Sequence, residues 1–141
     1  MIKISPELLL HEAAAAAENS YSPYSHYKVG AALMIAGGAI VRGTNVENVS
    51  YGLSMCAERS AFMAAVSAGH RDFVALAIVA ERNDASEEYE FPYPCGACRQ
   101  VMAEFCKPDF RIYVARYAQL NVFEEFTLGS LLPNPFGEKQ A

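Results

Sequence analysis

The sequence predicts an α/β domain built on a central mixed five-stranded sheet covered by helices on both faces. Three observations lead there. Helix-forming and strand-forming segments interleave in the order α-β-β-α-β-α-β-β, which places helices on both sides of one sheet. Residues Phe73 to Ala80 form a near-continuous apolar run, as expected of a strand buried on both faces. The chain has 141 residues, of which 52% are hydrophobic; this length suits one ordinary core, so residues 1–141 are read as a single domain.

Each element has a local reason. Ser5-Pro6-Glu7 supplies an N-cap, a proline at the first helical position and an early acid, and the alanine run Ala13–Ala17 is strongly helix-forming, so the first helix is expected from Pro6 to Glu18. Tyr21-Ser22-Pro23-Tyr24-Ser25 breaks it. Val29 to Ala36 reads as a strand, Gly37-Gly38 as a two-residue hairpin turn, and Ala39 to Arg42 as the returning strand. Thr44 to Met55 is polar and without a period. A helix is expected from Cys56 to Ala68, with Ala57, Ala61, Ala64, Ala65 and Val66 as packing positions and Gly69 as its terminator. Phe73 to Ala80 is the central strand, and Glu81 to Pro94 an acidic, aromatic loop. Gly96 to Phe105 is helical, Phe110 to Ala115 a strand, and Val122 to Phe126 a weaker strand. Thr127 to Leu132 forms a short helix ended by Pro133 and Pro135.

Composition narrows the function classes. Eleven Lys+Arg against 16 Asp+Glu give a formal net charge of −5, with no basic cluster and no Trp. Binding to nucleic acid is therefore not expected. No apolar run of membrane-spanning length occurs, and Met1-Ile2-Lys3-Ile4-Ser5-Pro6 lacks the features of a signal peptide. Four cysteines in such a chain read as metal-binding or catalytic rather than disulfide-bonded, in a reducing cytoplasm. The hydrophobic content is slightly high for a small monomer, so part of the apolar surface is expected to lie between subunits.

The chemistry concentrates in two short motifs. Cys56-Ala57-Glu58 is followed, 36 residues on, by Pro94-Cys95-Gly96-Ala97-Cys98. Three thiolates on one zinc leave a fourth position for water, the catalytic rather than the structural arrangement, and bound zinc brings that water's pKa to about 7. Glu58 is the candidate proton carrier. Both motifs sit where a loop enters a helix, so free N–H groups and the positive ends of two dipoles would face the sulfurs and temper their charge. Arg59 would do the same with a full positive charge. The competing reading is a structural zinc with Cys106 as fourth ligand. Cys98 and Cys106, if on one helix, would be about 12 Å apart along its axis, too far for one ion, so Cys106 is read as a buried small hydrophobe. His26 could join the site by folding, whereas His11 and His70 look like helix-surface residues.

These residues resemble those of the zinc-dependent cytidine deaminases, in their small homotetrameric nucleoside-salvage form. A His or Cys, x-Glu, then Pro-Cys-x-x-Cys is already described as the signature of zinc nucleobase deaminases. The resemblance covers nearly the whole chain. It runs through Tyr21 to Leu33, Gly43-Thr44-Asn45-Val46-Glu47-Asn48, Cys56 to Ala61, Pro94 to Gln100, and Leu131-Leu132-Pro133 with Phe136. It implies the three-layer fold of that family, zinc on Cys56, Cys95 and Cys98, and Glu58 moving protons between water, N3 of the pyrimidine and departing ammonia. It further implies that the Ala57 backbone holds the base O2, that Asn45 and Glu47 grip the ribose 3′-hydroxyl, and that Tyr27 packs on the base. Phe136 would reach the site of a neighbouring subunit. An amide and a carboxylate one residue apart in an extended segment can point the same way and serve one hydroxyl as donor and acceptor.

Some residues depart from the family pattern. Tyr27 replaces a Phe, Val49 is bulkier than the usual Ala, the loop Glu81–Pro94 is long, and Tyr93 stands where a small residue is usual. These departures are expected to narrow or shift substrate choice without touching the metal, acid–base or sugar residues. The expected reaction is hydrolysis of cytidine, and of 2′-deoxycytidine, to the uridine and ammonia, in a homotetramer with shared sites. The alternatives are a deaminase of a modified cytidine or nucleoside antibiotic, a zinc-stabilised binding module, and a polynucleotide editor, which would need a basic groove.

Overall fold

Ser5 starts the first helix as its sequence suggests: its Oγ accepts the Leu8 amide at 3.3 Å, and α1 runs Pro6–Ala17. The computed structural model describes residues 3–82 and 91–137. Within them β1 spans Tyr27–Ile35, β2 Ile40–Thr44, α2 Ala57–Ser67, β3 Phe73–Arg82, α3 Gly96–Phe105, β4 Arg111–Arg116, β5 Gln119–Thr127 and α4 Leu128–Leu131. The strands form one sheet in the order β2-β1-β3-β4-β5. Only the β3–β4 pair is parallel; its crossover carries α3.

The sheet is covered on both sides. Leu9, Leu10, Ala13 and Ala14 of α1 pack on Ala32, Met34, Ala75, Ala77 and Val79. On the opposite face, Ala57, Ala61, Phe62 and Ala65 of α2 and Cys98 and Met102 of α3 pack on Ala31, Leu33, Leu76 and Ile78. Alternation along β1 and β3 explains the split, since successive side chains leave opposite faces. The expected three layers and central β3 are therefore present, and six consecutive β3 residues, Ala75 to Ala80, are buried.

Differences from expectation have local causes. Each strand runs past its sequence limit at one end or both, because cross-strand hydrogen bonds recruit residues such as Lys28, Glu81 and Asn121 that have little strand propensity of their own. At their other ends, β1 stops one residue short of Ala36, β2 starts one residue after Ala39 and β4 starts one residue after Phe110. Val122–Phe126 is the middle of the nine-residue edge strand β5. The hairpin connection is longer than Gly37-Gly38: it takes in Ala36 to Ala39, with both glycines at φ 102° and the Ile35 amide donating to the Ala39 carbonyl at 2.8 Å. Ala64 is exposed, while Ala57, Ala61 and Ala65, spaced by four, form the packing stripe. His11 is exposed on α1, but His70 lies beyond α2. There the amides of Gly69 and His70 close the helix on the Val66 and Ala65 carbonyls. Of the loop Glu81–Pro94, the first two residues continue β3 and residues 83–90 lie outside the described residues.

One close approach sets the position of the site. A Cβ at Gly43 would lie 2.5 Å from the Ala57 carbonyl oxygen and against the Ala61 amide, so β2 touches the first turns of α2 backbone to backbone. Gly43→Ala is expected to cost about 3 kcal/mol by overpacking, read as a Tm lowered by roughly 10 °C. An unchanged Tm would show that α2 has room to move.

Candidate active site

Two helix N-termini converge here. Cys56 is the N-cap of α2 and Cys95 the N-cap of α3, and neither caps its helix through the side chain. Cys98, in the first turn of α3, is buried. The three sulfur atoms lie within 4.8 Å of one another, and those of Cys95 and Cys98 are 3.5 Å apart. A tetrahedral metal with thiolates at about 2.3 Å needs sulfur–sulfur separations of about 3.8 Å. The donor set therefore fits such an ion with little rearrangement. The first-turn N–H groups of both helices, which lack intrahelical acceptors, add positive potential on the same side.

Cys106 is not part of this group. It caps the far end of α3 and is buried in the core with Met102 and Phe110. His26 is exposed, with φ 57°, and is also outside the cluster.

The electrostatics follow from burial and shared protons. The Cys98 thiol donates toward Cys56, the Arg59 guanidinium donates to the Cys56 sulfur at 3.4 Å, and together they draw the Cys56 thiol down to about 5 against the effect of burial. Cys98 is pushed upward, first by that same hydrogen bond and then by burial. Arg59 Nε is buried and has no hydrogen-bond partner; the guanidinium lies here for its charge on sulfur rather than for a complete set of bonds.

Glu58 is 5% exposed. Burial raises its carboxyl to about 7, helped by the charge on Cys56. A carboxyl poised near neutrality can both accept and return a proton.

A cleft of about 250 Å³ opens beside the cluster. Tyr27, Asn45, Glu47, Cys56, Ala57, Glu58 and Cys95 all contribute to its wall. Asn45 and Glu47 do face the cleft together, but they also hold the chain. The Asn45 side chain accepts from the Val29 amide at 3.0 Å and donates to the Tyr27 carbonyl at 2.7 Å. Glu47 accepts from the Tyr24 and Ser25 amides at 3.1 Å and from the Ser25 hydroxyl. Burial would raise the Glu47 carboxyl, but the Ser25 and Tyr24 hydrogen bonds outweigh it and keep it below its ordinary value. Tyr27 opens β1, with the Arg82 guanidinium 5.2 Å from its ring centre.

Phe136 lies outside this cleft. Its side chain is 89% exposed, while its backbone is pinned twice to the Gln100 side-chain amide at 3.1 Å. The cleft wall also takes in Pro92, Ser54, Met55 and Ile78, which no sequence motif marks, and Tyr93, whose bulk already departs from the family pattern. For Tyr93 a signal existed, since it stands two residues before Cys95 in an extended segment and so leaves the chain on the same side.

The family model described as "Cytidine and deoxycytidylate deaminase zinc-binding region" matches residues 4–114. The chain belongs to this deaminase family. A cytidine deaminase of Halalkalibacterium halodurans is 45% identical over 130 residues, covering 92% of each chain. One from Sporosarcina psychrophila is 44% identical over 133 residues, covering 94% of this chain and 92% of the relative. The crystal structure of cytidine deaminase from Burkholderia pseudomallei superposes with a TM-score of 0.84 at 41% identity, covering 94% of this chain and 100% of the other. The protein is thus an enzyme of the cytidine deaminase type with that family's α/β fold, and its three clustered cysteines form a potential metal site. Among the described residues no helix is long and apolar enough to cross a membrane.

Proposed function

We propose that this enzyme converts cytidine and 2′-deoxycytidine, with water, to the uridine and ammonia, as a step of pyrimidine salvage in the cytoplasm. The observation that carries this reading is the juxtaposition of three sulfur donors with a buried carboxyl of raised pKa in one cleft. Cys56, Cys95 and Cys98 are the residues that would hold zinc, which when bound supplies hydroxide at neutral pH. Glu58 takes one proton from the attacking water and passes it to N3 of the base. It then takes the remaining proton of the hydroxyl added at C4 and passes it to the amine, so that the C–N bond breaks, ammonia leaves and C4 becomes a carbonyl. The Ala57 amide, in the first turn of α2, is the donor for the base O2. Asn45 and Glu47 receive the sugar 3′-hydroxyl at the other end of the cleft, and Tyr27 lies against the base. None of these groups needs a 2′-hydroxyl, so both nucleosides are substrates.

A homotetramer with shared sites completes the reading. Val49, Tyr51 and Leu53, in the segment between Glu47 and Cys56, are exposed at 69% or more, as residues covered by a neighbouring subunit would be. Phe136, held by its backbone and with its ring projecting, suits a residue that enters a neighbour's cleft. Nucleic acid is not a partner of this acidic chain.

Ammonia release from cytidine and from deoxycytidine, followed with the ultraviolet change of the base, tests the reaction. Both should proceed with zinc bound and stop on chelation. The far-ultraviolet circular dichroism should persist on chelation, because apolar side chains such as Leu9, Leu10, Phe62 and Leu76 hold the helices to both faces of the sheet away from the cysteines. No ammonia from either nucleoside would overturn the substrate assignment. Collapse of the fold on chelation would favour a structural metal.

Arg59→Ala is expected to lower zinc affinity by about 10–100-fold, the usual effect of losing a group that supports a metal ligand. Competition with a coloured chelator reads this directly, and an unchanged affinity would show that the Arg59–Cys56 contact does not support metal binding.

A further inference from the structure

Tyr93 is the cleft residue whose placement is least explained by metal binding or proton transfer. It is 42% exposed, yet it is tied down on several sides. Its hydroxyl donates to Glu124 Oε1 at 2.6 Å. Its ring meets Phe126 edge-on with centroids 5.8 Å apart, and its amide donates to the Phe91 carbonyl at 2.8 Å. Glu124 and Phe126 are alternate residues of β5 and so leave the strand on the same side. Phe91 is itself covered by the Arg116 guanidinium, 4.5 Å from its ring centre. The ring is therefore a fixed wall. Swinging it aside would break a charge-assisted hydrogen bond and an aromatic contact together.

Its height in the cleft is set by sequence distance. Tyr93 is two residues from Cys95, and both border the same cavity as Glu58. That is the end at which the reacting carbon must lie under the function proposed above, on which this inference rests. The groups nearest this wall are then the amine being lost and the substituent on the adjacent ring carbon.

We propose that Tyr93 is a specificity-determining residue: it limits the size of substituents on the exocyclic amine and on C5 of the pyrimidine, and so restricts the enzyme to unsubstituted cytosine bases. One additional methyl group against a rigid apolar wall changes selectivity about 10–200-fold. Removing the wall should return a factor of that order.

The test compares kcat/KM for cytidine, N4-methylcytidine and 5-methylcytidine in the zinc-loaded wild type, Tyr93→Phe and Tyr93→Ala. A ratio between two substrates on one preparation is independent of the fraction that is correctly folded, so partial misfolding of Tyr93→Ala does not obscure it. Binding of 5-methyluridine relative to uridine, measured by calorimetry, gives a second readout that needs no turnover. In Tyr93→Ala the methylated-to-unmethylated ratio should rise about 10-fold or more for at least one methylated substrate, and the product-binding ratio for 5-methyluridine should not fall. Tyr93→Phe, which keeps the ring, should stay within about 3-fold of wild type. Unchanged kcat/KM ratios for both methylated substrates in Tyr93→Ala would overturn the assignment. Failure of the wild type on cytidine itself would instead overturn the proposed function.

Discussion

Replacing Glu58 with Gln is expected to lower kcat for cytidine by about 10³-fold while leaving the zinc content at one ion per chain. The size follows from general acid–base catalysis, whose removal costs about 10²–10⁴-fold. Gln keeps the volume and the hydrogen-bonding shape of the side chain, so the loss isolates the proton. The buried site makes the substitution structurally mild: a neutral amide replaces a carboxyl that burial already biases toward its neutral form, with a pKa of about 7. Metal analysis and steady-state kinetics on the same sample check both halves. Wild-type turnover in this variant would remove Glu58 from the mechanism.

Cys98→Ser should produce the second large effect, on the metal rather than on the proton. Structural zinc sites bind with about 10–16 kcal/mol, so one ligand in four carries about 3 kcal/mol, or roughly 10²–10³-fold in affinity. Cys98 is fully buried, whereas Cys95 is exposed and Cys56 half-buried. Its loss therefore removes the ligand that solvent can least readily replace. Metal stoichiometry under competition with a chelator should fall well below one, and activity should fall with it. Cys106→Ser is the matched control. That cysteine is buried in the core, so its variant should lose stability and retain metal. If both variants bound metal equally well, the cluster would not be the site.

Much of this site can be read from local sequence, for a physical reason. Cap residues, the alanine stripe and the glycine after α2 act within one or two helical turns, so α1, α2 and α3 were legible to within about a residue. The cysteine motifs were legible because thiolate chemistry is specific and because each motif sits at a helix start, where capping makes the geometry regular. Strand limits were less legible. The ends of β1 and β5 consist of residues such as Tyr27 and Gln119, which become strand through pairing with Arg82 and Arg116.

The side walls of the cleft were the least legible part. Asn45 and Glu47 were expected to face a ligand, and they do border the cleft. Their hydrogen bonds to Tyr27, Val29, Tyr24 and Ser25 depend on the folded path of the Tyr21–Tyr27 segment and have no sequence signature. Tyr93 is similar: its neighbours Glu124 and Phe126 come from an edge strand about 30 residues further along.

Residue types and their near-neighbour spacing thus specified the elements, the sulfur ligands and the acid beside them, since those depend on short-range sterics and donor chemistry. Bringing Cys56 to Cys95, seating α2 against Gly43 and locking Tyr93 onto β5 required the packed sheet. Such contacts join segments far apart in the chain, and their geometry is set by strand register and close packing, which no local pattern encodes.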